Sequence, residues 1–231
     1  MSLLAASPTG DAASFHTAYL QQWDAAADYA ASHRDAWSTI WETFGIDRQM
    51  AEAIVFPEMV RYNLLQDRME TMAVKGTYIS RGTKGFDFSI GRFQMKPSFV
   101  EKLEKRWMKS AFPKQYDAYF DTDDTQFARR ARIERMADEL WQCVYLAMFV
   151  KLLCLDYGID TLPEDERLSV ASAAYNRGCE WPGAGKGQME DISKFVSTPH
   201  FHIAVVPTPS TCRYVYSEIA SMYFESLKGR E

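Results

Sequence analysis

The sequence predicts a mainly helical protein with a small β-hairpin or loop lobe around residues 76–92. Three observations carry that reading. Most of the chain runs in long stretches with apolar residues at helical spacing, opened by Pro or acidic residues and closed by Gly. The 231 residues are 47% hydrophobic, enough for a real core and unlike a disordered chain. The segment "TYISRGTKGFDFSIG" instead gathers three glycines with β-branched and aromatic residues, the mark of a loop or hairpin.

The elements follow in order. Residues 1–12 read as a flexible leader. "SFHTAYLQQWDAAADYAASHRDAWSTIWETFG" reads as one helix ending at Gly45. Asp47 is placed to cap a second, "RQMAEAIVFPEMVRYNLLQDRMETMAVKG", ending at Gly76. "KPSFVEKLEKRWMKSA" has Pro97 near its first turn. A long helix, or two, runs from a cap at Asp123 or Asp124 to Gly158. Within it "ARRARIERMADE" mixes both charges as expected of a solvated face. "PEDERLSVASAAYNRG" has the Pro-and-acid start and Gly end of a helix. A Gly/Pro-rich loop follows. The last helix is "STCRYVYSEIASMYFESLKG", with Thr211 as its cap and Tyr214 in its first turns. No repeat or composition shift marks a linker, so residues 13–231 read as a single domain.

Several function classes lose support. A net charge of −5 gives no overall attraction to nucleic acid or anionic membranes, although a local basic patch remains compatible with it. The most apolar stretch, "LWQCVYLAMFVKLLCL", is interrupted by Gln142 and Lys151 and reads as a buried helix rather than a membrane span. The N-terminus lacks the basic start and long apolar run of an intact signal peptide. There is no P-loop and no GxSxG elbow. The four cysteines show no metal spacing. Cys143 and Cys154 read as buried thiols, while Cys179 and Cys212 stand in loop contexts compatible with a pair. "HFH" at 200–202 lacks acidic partners and makes a weak metal motif. No metal and no organic cofactor are expected.

The chemistry concentrates on Glu58. "AEAIVFPEMVRYNLL" is apolar nearly all round, which predicts a central helix. A carboxylate there is costly to bury unpaired, and a raised pKa is the usual relief. A carboxylic acid protonated near neutrality suits general acid catalysis. The competing reading is a salt bridge to Arg61. Pro57 either kinks the helix or starts a new one, and in the latter case the helix dipole favours the ionised form. In "GRFQMKP", Gly91 permits a tight turn and Gln94 offers both a donor and an acceptor, which suits a sugar's acetamido or hydroxyl group.

Two further stretches, "AAYNRG" (173–178) and "TCRYV" (211–215), complete a pattern. With "PEMVRY" and "GRFQMKP" they stand in the order of the lytic transglycosylase branch of the lysozyme-like superfamily, which this chain resembles over residues 46–220. That family has a helical Glu, then G-L-M-Q-x-x-P, A-A-Y-N-x-G and T-x-x-Y-V. The resemblance implies an α+β fold of the lysozyme-like type. It also implies cleavage of the β-1,4 glycan of peptidoglycan by one carboxylate.

Residue by residue, it makes Glu58 the acid/base and Gln94 an amide near the cleft floor. Tyr175 and Asn176 become the pair beside the acid, and Tyr214 the late tyrosine whose hydroxyl lies near it. Ser89 is a further candidate for the cleft, and Trp181, in the Gly/Pro loop, for stacking on a sugar. For the tyrosines the competing reading is core aromatics at helix ends. For Asn176 it is a helix C-terminal residue before Gly178, and for Trp181 a core position like those expected of most of the six tryptophans.

Met59 replaces the family's Ser, and Arg92 and Phe93 replace its Leu-Met. Asp87 is a possible second carboxylate. At about 6.5–9.5 Å from Glu58 it would suit an inverting hydrolase, and otherwise it reads as a turn residue beside Gly85. The alternatives are therefore a water-using hydrolase of peptidoglycan or a chitin-like polymer, or a non-catalytic glycan-binding envelope module. The expected partner is peptidoglycan or a related amino-sugar polymer, not nucleic acid. The substrate implies the cell envelope or periplasm, although no export signal is visible.

Overall fold

The computed structural model describes residues 7–62, 72, 76–84, 87–112, 114–178, 181, 189–204 and 207–229. Nine labelled helices stand among them: α1 (Ala12–Ala18), α2 (Leu20–Thr43), α3 (Arg48–Arg61), α4 (Pro97–Met108), α5 (Gln126–Ala137), α6 (Glu139–Tyr157), α7 (Glu164–Arg177), α8 (Glu190–Val196) and α9 (Tyr216–Lys228). Two short strands, β1 (Thr9–Gly10) and β2 (Arg213–Tyr214), pair in parallel. The protein is mainly helical, as its periodicity predicts.

Helix α3 starts where the sequence says it should. The Asp47 carboxylate accepts the Met50 N–H at 2.7 Å, satisfying one of the orphan donors of the first turn. Every residue from Met50 to Val60 is buried, because α2, α7 and α9 all pack on this helix. Pro57 lies inside it rather than at a new start. A proline has no N–H, so the carbonyl four residues back loses its usual donor.

Helix α6 is the second buried axis, in contact with α2, α4 and α5. Asp138 caps it through the Trp141 N–H at 3.0 Å, and Gly158 ends it in the left-handed region. By length and composition it is apolar enough to cross a membrane, and 72% of its most apolar window is buried inside the protein. Trp23, Trp37, Trp41 and Trp107 are core residues.

Several expectations need correction. Residues 7–12 are not a loose leader: β1 pairs with β2 and Asp11 caps α1. The first helix is two, divided at Tyr19, whose backbone leaves helical geometry. The second closes at Arg61, and residues 63–71 lie outside the described residues.

No hairpin occupies residues 76–92 among the described residues. Residues 76–81 are helical, Gly82–Lys84 form a 3-10 turn, and one antiparallel bridge joins Ile90 to Met95. Thr125, not Asp123 or Asp124, caps α5. The last helix begins at Tyr216, and Tyr214 is in β2.

The mixed-charge stretch is not simply a solvated face. Arg132 is buried, its Nε 2.8 Å from Glu104, and Arg135 donates to the same carboxylate at 2.9 Å. Five donors on a planar fork make Arg the cation best suited to a buried acid. The possible pairing of Cys179 with Cys212 involves Cys179, which lies outside the described residues.

Candidate functional site

The turn Gly91–Gln94 is built from the inside. Its ends are held by the Ile90–Met95 bridge, with N–H···O distances of 2.7 and 3.1 Å. Gly91 has φ +74°, and a Cβ there would lie 1.7 Å from Nε2 of Gln142. Glycine is therefore required both by backbone conformation and by space. The Gln142 amide, buried on α6, accepts the Phe93 N–H at 2.8 Å and donates to the Met136 carbonyl at 2.9 Å.

Phe93 is buried edge-on to Trp37, with ring centroids 5.3 Å apart. The Arg92 guanidinium lies 3.8 Å from the ring centroids of both Tyr29 and Tyr62, a double cation–π contact. The Arg92-Phe93 pair thus clamps the turn to α2 and to the end of α3. Gln94 is left-handed at φ 53°, and its Nε2 donates to the Gly91 carbonyl at 2.9 Å.

From α7, the Tyr175 hydroxyl donates to the Phe93 carbonyl at 2.6 Å. Gln94, Tyr175, Asn176 and Trp181 line one cavity of about 570 Å³, between the start of α4, the end of α7 and α8. Trp181 meets Phe149 edge-on at 6.0 Å. Asp87 is on the same wall, but its carboxylate accepts the Ser98 N–H at 2.9 Å and the Ser98 hydroxyl. It thereby satisfies the first turn of α4, which has no cap from its own N-cap residue, Lys96. Ser89 is partly buried and stands outside the described cavity wall.

Glu58 is 6% exposed. Its Oε2 has no hydrogen-bond partner among the described residues. Among the described residues Arg61 forms an ion pair with it, Nη1 to Oε2 at 3.5 Å. Burial pushes the Glu58 carboxyl above the ordinary carboxylate range, with Arg61 and then Lys96 pulling against it.

Three other carboxylates are buried among the described residues, and each is richly bonded. Glu52 takes two bonds from Arg34 and one from Tyr223. Glu104 takes bonds from Arg132, Arg135 and Tyr145. Asp156 takes two from Arg106. Glu58 alone of the four has an oxygen without a hydrogen bond.

Glu58 is not itself on the described cavity wall. Two residues that are, Tyr175 and Lys96, interact with its charge. Burial and then that charge raise the Tyr175 phenol well above its usual pKa.

Tyr214 is not at this site. Its ring packs in the N-terminal aromatic cluster, 4.9 Å from Phe15 and 6.2 Å from Tyr19. Tyr216, two residues on, is a late tyrosine whose phenol feels the Glu58 charge. The Tyr216 hydroxyl donates to the Ile54 carbonyl at 2.9 Å. The Ile54 carbonyl is the neighbour of the Ala53 carbonyl that Pro57 leaves without its helical donor. Burial, then the Glu58 charge, push the Tyr216 phenol well up.

The signal for Tyr216 was the start of α9. Val215 is extended, so Tyr216 is the first helical residue and faces α3. Sequence reasoning also missed the cavity's cations. Lys96 and Lys102 are legible in retrospect, since Lys96, Phe99 and Lys102 recur at spacings of three along one helical face.

No protein-family model, no curated protein and no solved structure matches this chain.

Proposed function

We propose that this protein is a peptidoglycan lytic transglycosylase of the lysozyme-like kind, working through Glu58. The observation that carries the reading is the contrast among buried acids. Among the described residues Glu58 is the buried acid with an oxygen free of hydrogen bonds, and its charge acts on Tyr175, which lines a cavity together with Gln94, Asn176 and Trp181. A buried, under-bonded carboxyl holds its proton to higher pH than an exposed one does.

Glu58 donates that proton to the glycosidic oxygen as the anomeric C–O bond breaks. The resulting carboxylate takes the proton of the sugar's own C6 hydroxyl. The C6 oxygen bonds to the anomeric carbon and leaves a 1,6-anhydro end. Protons and bonds balance with one carboxylate and without water. The Trp181 ring offers a stacking face, and the amides of Gln94 and Asn176 offer hydrogen bonds to acetamido groups. The implied setting is the cell envelope.

Asp87 is engaged at the start of α4, which argues against a second catalytic carboxylate and so against an inverting hydrolase. One observation favours a different second reading, a glycan-binding module without catalysis: Glu58 is only 6% exposed and has Arg61 at 3.5 Å. Mass spectrometry of peptidoglycan fragments separates these outcomes. Anhydro ends support the transglycosylase, new reducing ends a hydrolase, and bound but intact strands the module.

A further inference from the structure

Phe201 and Tyr214 form one antiparallel bridge, the Phe201 N–H donating to the Tyr214 carbonyl at 3.1 Å and the reverse bond measuring 2.8 Å. Both of these side chains are buried. Side chains alternate along extended backbone, so His200, His202 and Arg213 share the opposite face of the bridge. All three are partly buried. The His200 ring lies 6.4 Å from that of Phe195, and the Arg177 guanidinium sits over the same Phe195 ring at 4.9 Å. The end of α7, β2 and the segment before the bridge thus bring Arg177, Arg213 and His200 together.

The two arginines differ from the rest. Arg34, Arg106, Arg129, Arg132 and Arg135 each hold a carboxylate. Among the described residues, neither the Arg177 nor the Arg213 guanidinium makes a hydrogen bond or an ion pair; Arg177 has its contact with Phe195 alone. Arg213 is in addition partly buried, and a cation drawn from water without an anion is costly. Burial, then the Arg177 and Arg213 charges, lower the pKa of His200. His202 is lowered by burial and then by Arg61, against its own bond to the Ala204 carbonyl, with Arg213 adding to the effect. Both imidazoles are therefore held neutral, and Arg61 is engaged with Glu58. Two unpaired positive charges remain.

We propose that Arg177, Arg213 and His200 form a binding site for a phosphate dianion, free or carried as a terminal monoester. Such a group bears about −1.5 to −2 charges near pH 7 and offers three strong acceptor oxygens. Its charge matches two guanidiniums, whose planar forks suit phosphate geometry. The neutral His200 ring adds one N–H. A singly charged anion, a carboxylate or a phosphodiester, neutralises one arginine and leaves the other unmatched. The inference uses neither Glu58 nor the glycan reading, although Arg177 also lines the cavity and so puts the site at its edge.

Calorimetric titration of the full chain at neutral pH and low salt tests this, with inorganic phosphate, methyl phosphate, dimethyl phosphate and acetate as probes. Inorganic phosphate is expected to bind about tenfold or more tighter than dimethyl phosphate or acetate, and Arg177→Gln and Arg213→Gln each to weaken it by about tenfold or more. Arg177 is exposed, so its variant decides the matter if Arg213→Gln does not fold. Methyl phosphate binding as tightly as inorganic phosphate upholds the site as one for a phosphate group on a larger molecule, and binding of inorganic phosphate alone upholds it as one for the free ion. The proposal is overturned if phosphate does not bind saturably, if dimethyl phosphate or acetate binds as tightly, or if Arg177→Gln leaves phosphate binding unchanged.

Discussion

Tyr175 on α7 gives its phenol proton to the backbone carbonyl of Phe93, 2.6 Å away. That bond joins the helix bearing Tyr175 and Asn176 to the turn bearing Gln94, two parts of the cavity wall. Its removal leaves a turn carbonyl without this partner. Tyr175→Phe is expected to lower stability by about 1 kcal/mol and to raise KM for glycan more than it lowers kcat. A chemical denaturation curve and steady-state kinetics measure both. An unchanged KM contradicts the positioning role.

Gly91 and Gln142 form the second constraint on the turn. A methyl group at residue 91 meets the Gln142 amide at 1.7 Å and forces a left-handed backbone on alanine. Gly91→Ala is therefore expected to cost about 3 kcal/mol, from overpacking and backbone strain together. Thermal melts should fall by roughly 6–12 °C for a chain of this size. A melt within a degree of wild type shows that the turn relaxes freely.

Glu58 also writes itself into the pH dependence of stability. Its folded-state pKa is raised above the ordinary 4.5 by burial. The folded state therefore holds the proton more tightly than the unfolded chain does. The stabilisation is fully present below about pH 4.5 and is lost as pH rises through the higher folded value. Glu58→Gln removes this titration. Its stability relative to wild type is expected to improve steadily from pH 4.5 upward and to be greatest above the folded pKa. Denaturant midpoints measured at several pH values check the sign, and a difference that runs the other way means Glu58 is stabilised as a carboxylate by Arg61.

Much of the fold was legible because its signals are local. The Asp47 cap, the all-round apolarity of α3 and the Gly158 stop each depend on a few neighbouring residues, and each is realised. What failed depends on distant partners. The charge pattern around Arg132 cannot reveal that Glu104 waits across the core, 28 residues earlier in the chain. The pairing of Thr9–Gly10 with Arg213–Tyr214 spans nearly the whole chain.

The site divides along the same line. Gly91 and Gln94 announced a turn by residue type. Gln142, which shapes that turn, looked only like an interruption in an apolar helix. Tyr214 was misassigned because a two-residue strand shifts the start of α9, and the phenol beside Glu58 becomes Tyr216.

The proposed chemistry requires Glu58, buried and with one oxygen free of hydrogen bonds among the described residues, to give up a proton. The most direct test is the rate at which wild type and Glu58→Gln release soluble fragments from purified peptidoglycan at neutral pH, with equal melting temperatures confirmed first. Wild type is expected to release fragments ending in 1,6-anhydro sugars, and Glu58→Gln to be slower by roughly a hundred- to ten-thousandfold, the usual share of a positioned acid/base. Equal rates for the two proteins contradict the central claim.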